Sequence, residues 1–491
     1  MITPTKMQRM ITINNYYEEI TQVNGFDIDN LDNAKQNNYA WSMEELGSYI
    51  YVGTGRNIVY QVYEGIGIPA PPILVPENLD NNAEIWRYNK NGCSGWERVY
   101  KAPADLSIMG FRFMIRFKDS TGETGLYAGA FTITSESYLL WSNNGVDWEF
   151  IDQGIPGGFS TRTMIEHAGM LYMAATKTLD ETQQTYLYSS ANPRAGWTAI
   201  TMPAGGPTGE IQSMVSFKNH LYIGTAPAGG FAVWRTRGVE PDSGWKLVVD
   251  KGAGDALNEL PLSMEVFKNH VYVGTGIWVG IVSVDPNKTL VPPKGFDLIR
   301  INDDDQWQVI VGSAPLIPTQ PITGTRNEGI YDSGFGNMFN AYCWQIKSYN
   351  KKLYIGTWDD AILAATIIEG LLGTKIADLD LQNIGILLGN AGINQANISP
   401  ALAQMFSLDN FNFLEWLKSF LASLKLYPES YGFDFLTSSD GKDYCYISIN
   451  GLDNKYNYGL RTTLVSKDGS LYIGTANPFQ GCEVWKLTTD D

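Results

Sequence analysis

Six side chains are candidates for chemistry. Arg56, Asp359 and Tyr458 are the catalytic candidates, and Trp278, Trp358 and Asp360 are candidates for substrate contact. All but Tyr458 stand within a few residues of a repeated Gly-Thr pair, in Gly55-Arg56, Gly276-Ile277-Trp278 and Trp358-Asp359-Asp360. Tyr458 closes the run Lys455-Tyr456-Asn457-Tyr458-Gly459, which leads into the last copy of that pair. A carboxylate can deprotonate a phenol or position a nucleophile. An Arg with a Tyr hydroxyl makes a donor pair for an anion or a leaving group. A structural reading of the same residues stays open. An Arg and an Asp near a common axis can pair and staple two units together, and Tyr39 stands before the first repeat much as Tyr458 stands before the last. His167, His220 and His270 fall on equivalent turns of three repeats, which marks a repeated turn residue and no metal site. Acid–base work therefore falls to carboxylates, Tyr or Lys, and no cofactor is implied.

These residues are positioned by a repeat. Its phrase reads Leu471-Tyr472-Ile473-Gly474-Thr475 in the last copy. Earlier copies start at Ile50, Leu126, Leu221, Val271 and Leu353, and a degraded one at Leu171, which makes seven. Around each copy lie four short alternating segments rich in β-branched and aromatic residues, separated by Gly, Asn, Pro and Asp. Four antiparallel strands repeated seven times predict an all-β, seven-bladed β-propeller. The last repeat ends after its third strand, at Glu483-Val484-Trp485-Lys486, and Tyr16-Tyr17-Glu18-Glu19-Ile20 reads as an orphan fourth strand. The N-terminal strand is thus expected to complete the last blade and close the ring.

One such domain uses residues 1–491, with blades at about 41–100, 111–151, 162–200, 212–249, 262–310, from 341, and 460–487. Blade 1 carries an insertion around Pro69-Ala70-Pro71-Pro72, expected as an extended loop. Within blade 6, residues 358–431 lack strand alternation and predict a helical insertion, a lid over a site. Its segment 361–376 is apolar with helical spacing, and 413–425 is amphipathic. The runs Ser142-Asn143-Asn144-Gly145-Val146-Asp147 and Ser438-Ser439-Asp440-Gly441-Lys442-Asp443 resemble Asp-box turns, which pin hairpins.

The formal charge of −17 argues against nucleic-acid backbones and acidic membranes as partners. Cys93, Cys343, Cys445 and Cys482 are too scattered for a disulfide framework or a zinc site. Residues 1–19 lack the apolar core of a signal peptide, and no stretch is long enough to span a bilayer. The expectation is a cytoplasmic protein, with a homodimer through the blade 6 helices as one use of that insertion.

An Arg after the blade 1 Gly-Thr, an Asp after the blade 6 Gly-Thr and a Tyr before blade 7 together resemble the cyanobacterial alkylating enzymes of the cylindrocyclophane type. The resemblance implies a cofactor-independent alkyl transferase in natural product biosynthesis, joining an aromatic or other nucleophile to a secondary alkyl halide. In that reading Asp359 activates the nucleophile, and Arg56 with Tyr458 binds the departing halide. The family couples its propeller to a calcium-binding domain, and this sequence has no Gly-rich, Asp-punctuated calcium repeat; Asp27-Ile28-Asp29-Asn30-Leu31-Asp32 is a poor substitute. Two rivals remain: a non-catalytic binding or scaffold propeller, and a sialidase-like glycoside hydrolase, for which the sequence supplies no evident Arg triad.

Overall fold

The computed structural model describes residues 17–66, 69–92, 94–132, 138–151, 160–176, 184–277, 283–284, 290–291, 294–381, 413–426 and 431–487. The architecture is mostly β with few helices. Strands pair antiparallel in fours. The first quartet is β2 (Asn37–Leu46), β3 (Tyr49–Arg56), β4 (Glu84–Asn89) and β5 (Glu97–Lys101). Next come β6 (Ile108–Lys118), β7 (Thr124–Thr132), β8 (Leu139–Ser142) and β9 (Glu149–Phe150). The pattern repeats in β10 (Ser160–His167), β11 (Met170–Thr176), β12 (Tyr186–Ser190) and β13 (Thr198–Ala199). It continues in β14 (Glu210–Phe217), β15 (His220–Ala226), β16 (Ala232–Thr236) and β17 (Trp245–Val249). Then β18 (Leu260–Phe267) and β19 (His270–Gly276) pair onward to β22 (Leu298–Ile301) and β23 (Trp307–Val311), with a small hairpin of β20 (Ser283–Val284) and β21 (Leu290–Val291) inserted. A further quartet is β24 (Asn340–Tyr349), β25 (Lys352–Asp359), β26 (Phe435–Ser438) and β27 (Tyr444–Ser448). Finally β28 (Gly459–Val465), β29 (Leu471–Ala476) and β30 (Val484–Leu487) take β1 (Tyr17–Glu19) as their outer strand, with Tyr17 opposite Leu487.

The first strands of the quartets touch in the order β2, β6, β10, β14, β18, β24, β28 and back to β2, which makes a propeller-type ring. The repeat phrase explains how they approach. A Cβ on Gly356 would stand 2.5 Å from Leu460 Cβ of the next quartet, and one on Gly474 2.6 Å from Ala40 Cβ. The turns at Lys218-Asn219 (φ 48° and 59°), Lys268-Asn269 and Asn350-Lys351 have left-handed backbone at both positions. That is the mirror-image turn whose twist matches a hairpin. The Asp-box-like turns are held as their composition suggests: Gly145 and Gly441 N–H donate to Ser142 and Ser438 Oγ, each at 2.8 Å.

A polar clamp recurs where each second strand ends. The backbone N–H of Glu84, Asp297, Asp434 and Glu483 donates to Thr54, Thr275, Thr357 and Thr475 Oγ1 at 2.8–3.0 Å. The side chains of the same acids accept from Asn37, Asn258, Asn340 and Asn457 Nδ2.

Four helices complete the described chain: α1 (Leu31–Gln36), α2 (Ile58–Ile66), α3 (Ala361–Leu372) and α4 (Phe413–Leu426). Helix α2 belongs to the blade 1 insertion, for which the sequence suggested only an extended loop; a short 3-10 turn, Pro72–Leu74, follows. Its Ile, Val and Tyr residues favour strand by propensity. Tertiary burial overrides that preference, because Val59 and Tyr63, one turn apart, both enter an apolar cluster. That cluster also holds Ala361, Ile362 and Ala365 of α3, Phe420, Leu421 and Leu424 of α4, and Tyr39, Trp41, Tyr458 and Phe479 of the ring. Helices α3 and α4 therefore pack on the ring. Among the described residues no helix is long and apolar enough to cross a membrane.

Candidate functional site

The inner strands share an irregularity that period-2 patterning does not reveal. Each skips one residue in its pairing with the second strand. The skips fall between Ala40 and Ser42, Phe111 and Phe113, Thr161 and Thr163, Ile211 and Ser213, Pro261 and Ser263, Cys343 and Gln345, and Leu460 and Thr462. A bulge adds one unpaired residue and re-aims its side chain. The bulged residues are Trp41, Arg112, Arg162, Gln212, Leu262, Trp344 and Arg461, and all of them line one axial cavity of about 490 Å³.

Three guanidiniums thus meet at the axis of an acidic protein. Arg112 donates to Ser160 Oγ at 3.2 Å, while its Nε and that of Arg461 are buried without a partner, as is Gln212 Oε1. Among the described residues no carboxylate lies within 4 Å of Arg112, Arg162 or Arg461, the distance at which ion pairs form elsewhere in the ring. Burial lowers Arg162 to about 10, against the opposing influence of Glu210 and Tyr342. Burial, and then the charge of Arg162, lowers Arg461 to about 9, against the opposing influence of Tyr39 and Tyr458. An anion among them would raise both again.

The aromatic residues are fixed around this charge. Arg461 lies 5.7 Å from the Trp41 ring centre and 5.1 Å from that of Trp344, and Arg112 lies 5.6 Å from Trp41. Trp41 occupies a slot between two glycines: a Cβ on Gly55 or Gly110 would come within 2.4 or 2.2 Å of its ring. Trp344 has the same relation to Gly459, at 2.2 Å. Trp358 packs on Tyr342 with ring centres 4.3 Å apart and meets Tyr458 edge-on at 5.8 Å.

The sequence-predicted residues fare differently. Arg56 is fully buried, but it serves the blade 1 clamp. Its Nε donates to Asp80 O at 2.8 Å, Nη1 to Asn37 Oδ1 at 2.8 Å and Nη2 to Asn33 Oδ1 at 2.9 Å, with Glu84 Oε2 3.5 Å from Nη1. The guanidinium of Arg56 is thus engaged by Asn33, Asn37, Asp80 and Glu84, while Asp359 and Tyr458 have other partners. Those two are adjacent, Asp359 N–H donating to Tyr458 O at 2.8 Å. The Asp359 carboxylate accepts from Asn337 Nδ2 at 2.7 Å and from the Ala361 N–H at 2.9 Å, so it anchors the entry to α3. The Tyr458 hydroxyl bonds Tyr39 OH, and burial raises Tyr458 well above the phenol range and Tyr39 to about 12. Asp360 is buried, its Oδ2 has no hydrogen-bond partner, and burial followed by the charge of Asp359 lifts its carboxyl well above the usual range. Trp358 Nε1 is likewise buried without a partner. Trp278 lies outside the described residues.

The arginines were missed because attention fell on the ends of the second strands. The signal was present one strand earlier. The side chain before Ser42-Met43, Phe113-Met114, Thr163-Met164, Ser213-Met214 and Ser263-Met264 is the bulged one in each repeat.

No known protein family's sequence profile matches the chain, and no curated protein matches it. Its structure is similar to those of β-propeller proteins. An ancestral GH74 enzyme aligns at TM-score 0.48 and 10% identity over 92% of this chain and 48% of its own, so the chain spans about half the length of that enzyme. YCF48 from Cyanidioschyzon merolae aligns at 0.46 and 9% identity over 96% of this chain and 99% of its own. YCF48 bound to a D1 peptide aligns at 0.44 and 9% identity over 98% and 97%. At such scores the likenesses bear on neither site nor chemistry.

Proposed function

We propose that the quartets are the seven blades of one closed ring, that α3 and α4 of the 358–431 insertion, whose residues 382–412 and 427–430 lie outside the described residues, lid one of its ends, and that the protein binds a small organic anion at the axis. The observation that carries this reading is the bulge layer, where Arg112, Arg162 and Arg461 stand together with no carboxylate of the described residues within 4 Å, Glu44 and Glu265 lining the same cavity further off. Buried charge without a partner is costly, and a chain keeps it where a ligand supplies the counter-charge. A cavity of about 490 Å³ has the size of a small-molecule site. Crystals soaked in bromide test the reading by anomalous diffraction. Ordered bromide among the three arginines supports it, and an empty axis at high bromide sinks it.

A second reading keeps the alkylation chemistry, with Asp359 and Tyr458 neighbours through a backbone hydrogen bond of 2.8 Å. The carbon–halide bond of a secondary alkyl halide would break as the nucleophile's new bond to that carbon forms. Asp359 would take the nucleophile's proton, and the halide would leave among the axial arginines, since Arg56 is engaged elsewhere. Release of chloride from a secondary alkyl chloride in the presence of a phenol, lost in Asp359→Ala, is the outcome this reading requires. The bulge layer presents guanidiniums where a glycoside hydrolase needs a carboxylate pair.

A further inference from the structure

We infer that the axial ligand is an organic carboxylate with a flat, unsaturated body, held carboxylate-first by Arg112, Arg162 and Arg461, with its body against the Trp41 and Trp344 indoles. The inference rests on the axial anion site proposed above and names its ligand class.

Arg461 lies against both indoles, 5.7 Å from Trp41 and 5.1 Å from Trp344, and Arg112 lies 5.6 Å from Trp41. Any group bonded to these guanidiniums meets an indole beside it. The indoles are held in place, because Gly55 and Gly110 enclose Trp41 and Gly459 seats Trp344. A flat body gains contact with such surfaces at no cost in rearranging them.

Three of the hydroxyls next to the bulge, which would suit a tetrahedral phosphate, are engaged with the neighbouring blade, which leaves those of Thr163 and Thr462 beside the guanidiniums. Ser42 Oγ donates to Phe111 O at 2.7 Å, Ser213 Oγ to Pro261 O at 2.6 Å and Ser263 Oγ to Cys343 O at 2.8 Å. The fork of the planar guanidiniums matches a carboxylate held in two parallel hydrogen bonds. Tyr342, Trp358, Tyr39 and Tyr458 pack on the two indoles in tilted and edge-on contacts, an apolar backing that favours a flat organic body over a strongly hydrated inorganic anion.

Isothermal titration of the whole protein at pH 7.5 with phosphate, acetate, benzoate and cinnamate tests the inference, with Arg461→Met and Trp344→Leu as variants. The expected result is cinnamate at least tenfold tighter than acetate or phosphate. Arg461→Met should abolish cinnamate binding, and Trp344→Leu should weaken cinnamate about tenfold while leaving acetate unchanged. Phosphate or acetate binding as tightly as cinnamate overturns the ligand class and leaves the anion site standing. Cinnamate binding that survives Arg461→Met puts the ligand elsewhere and overturns the inference. Failure of all four anions to bind overturns both readings. If Trp344→Leu melts early, Trp41→Phe replaces it, with a smaller selective loss for cinnamate expected and an equal loss for acetate overturning the stacking.

Discussion

Two groups of buried cations sit in the same ring with opposite partners. Arg56 and Lys294 serve the polar clamps. Arg56 has Glu84 at 3.5 Å and Asp80 at 3.6 Å, and Lys294 has Asp255 at 2.9 Å and Asp297 at 3.0 Å. Arg112, Arg162 and Arg461 face the axis with no described carboxylate at such distances. In the clamps the cation neutralises an acid whose backbone is already fixed to the Gly-Thr hydroxyl, so the pair serves the blade. At the axis no described carboxylate comes within 4 Å, the charge of Glu210 reaches Arg162 only from further away, and an anion would complete the compensation. Residue type and burial are thus poor guides to role, and the presence or absence of a partner distinguishes staple from site.

The comparison breaks most sharply at Arg56. Arg56→Met should leave Glu84 with the half-exposed Arg98 at 2.9 Å but take a donor from three acceptors, Asp80 O, Asn37 Oδ1 and Asn33 Oδ1, and cost about 3–5 kcal/mol in urea unfolding. A cost under about 1 kcal/mol would remove the staple role. Arg461→Met should act in the other direction and stabilise the ligand-free protein by about 1–3 kcal/mol, because it deletes an unpaired charge beside Arg162. A destabilised Arg461→Met would mean that the axial arginine is structural after all. The smallest effect is in pH. Arg461 is lowered to about 9 by burial and by Arg162, with Tyr39 and Tyr458 opposing. Its penalty is therefore complete below about pH 9 and is relieved as pH rises from there, because the unfolded chain then keeps a proton that the folded chain has given up. Wild-type protein should gain on the order of 1 kcal/mol relative to Arg461→Met between pH 9 and 10. Parallel stability curves for the two proteins would refute the shifted guanidinium.

Much of the fold was legible because a repeat averages over local noise. The phrase ending in Gly-Thr marked the second strands, and Tyr17 and Glu19 were recognisable as strand residues with no partner nearby in sequence. Helix α2 was not legible, since its Ile, Val and Tyr residues favour strand until Val59 and Tyr63 find the apolar cluster. Of the candidate site, Arg56, Asp359 and Tyr458 were expected to converge from their places near the repeat phrases; the hydrogen bond from Asp359 N–H to Tyr458 O follows that placing, whereas the partners of Arg56, Asn33, Asp80 and Glu84, are brought to it only by folding and are not legible in the sequence. The bulges were invisible for a simple reason: an inserted residue changes which face the following side chains take, and alternation read along one strand cannot reveal a skip defined by its neighbour.

The pairing of β1 with β30 has a mechanical consequence. Tyr17 lies opposite Leu487 and Glu19 opposite Trp485, so both chain ends leave this pair on the same side. Tension applied to the two ends therefore peels the strands apart one residue pair at a time, beginning at Tyr17 and Leu487, instead of shearing all their hydrogen bonds together. The ring's fastening is thus weak against a pull from without, and the first event under load is the release of β1.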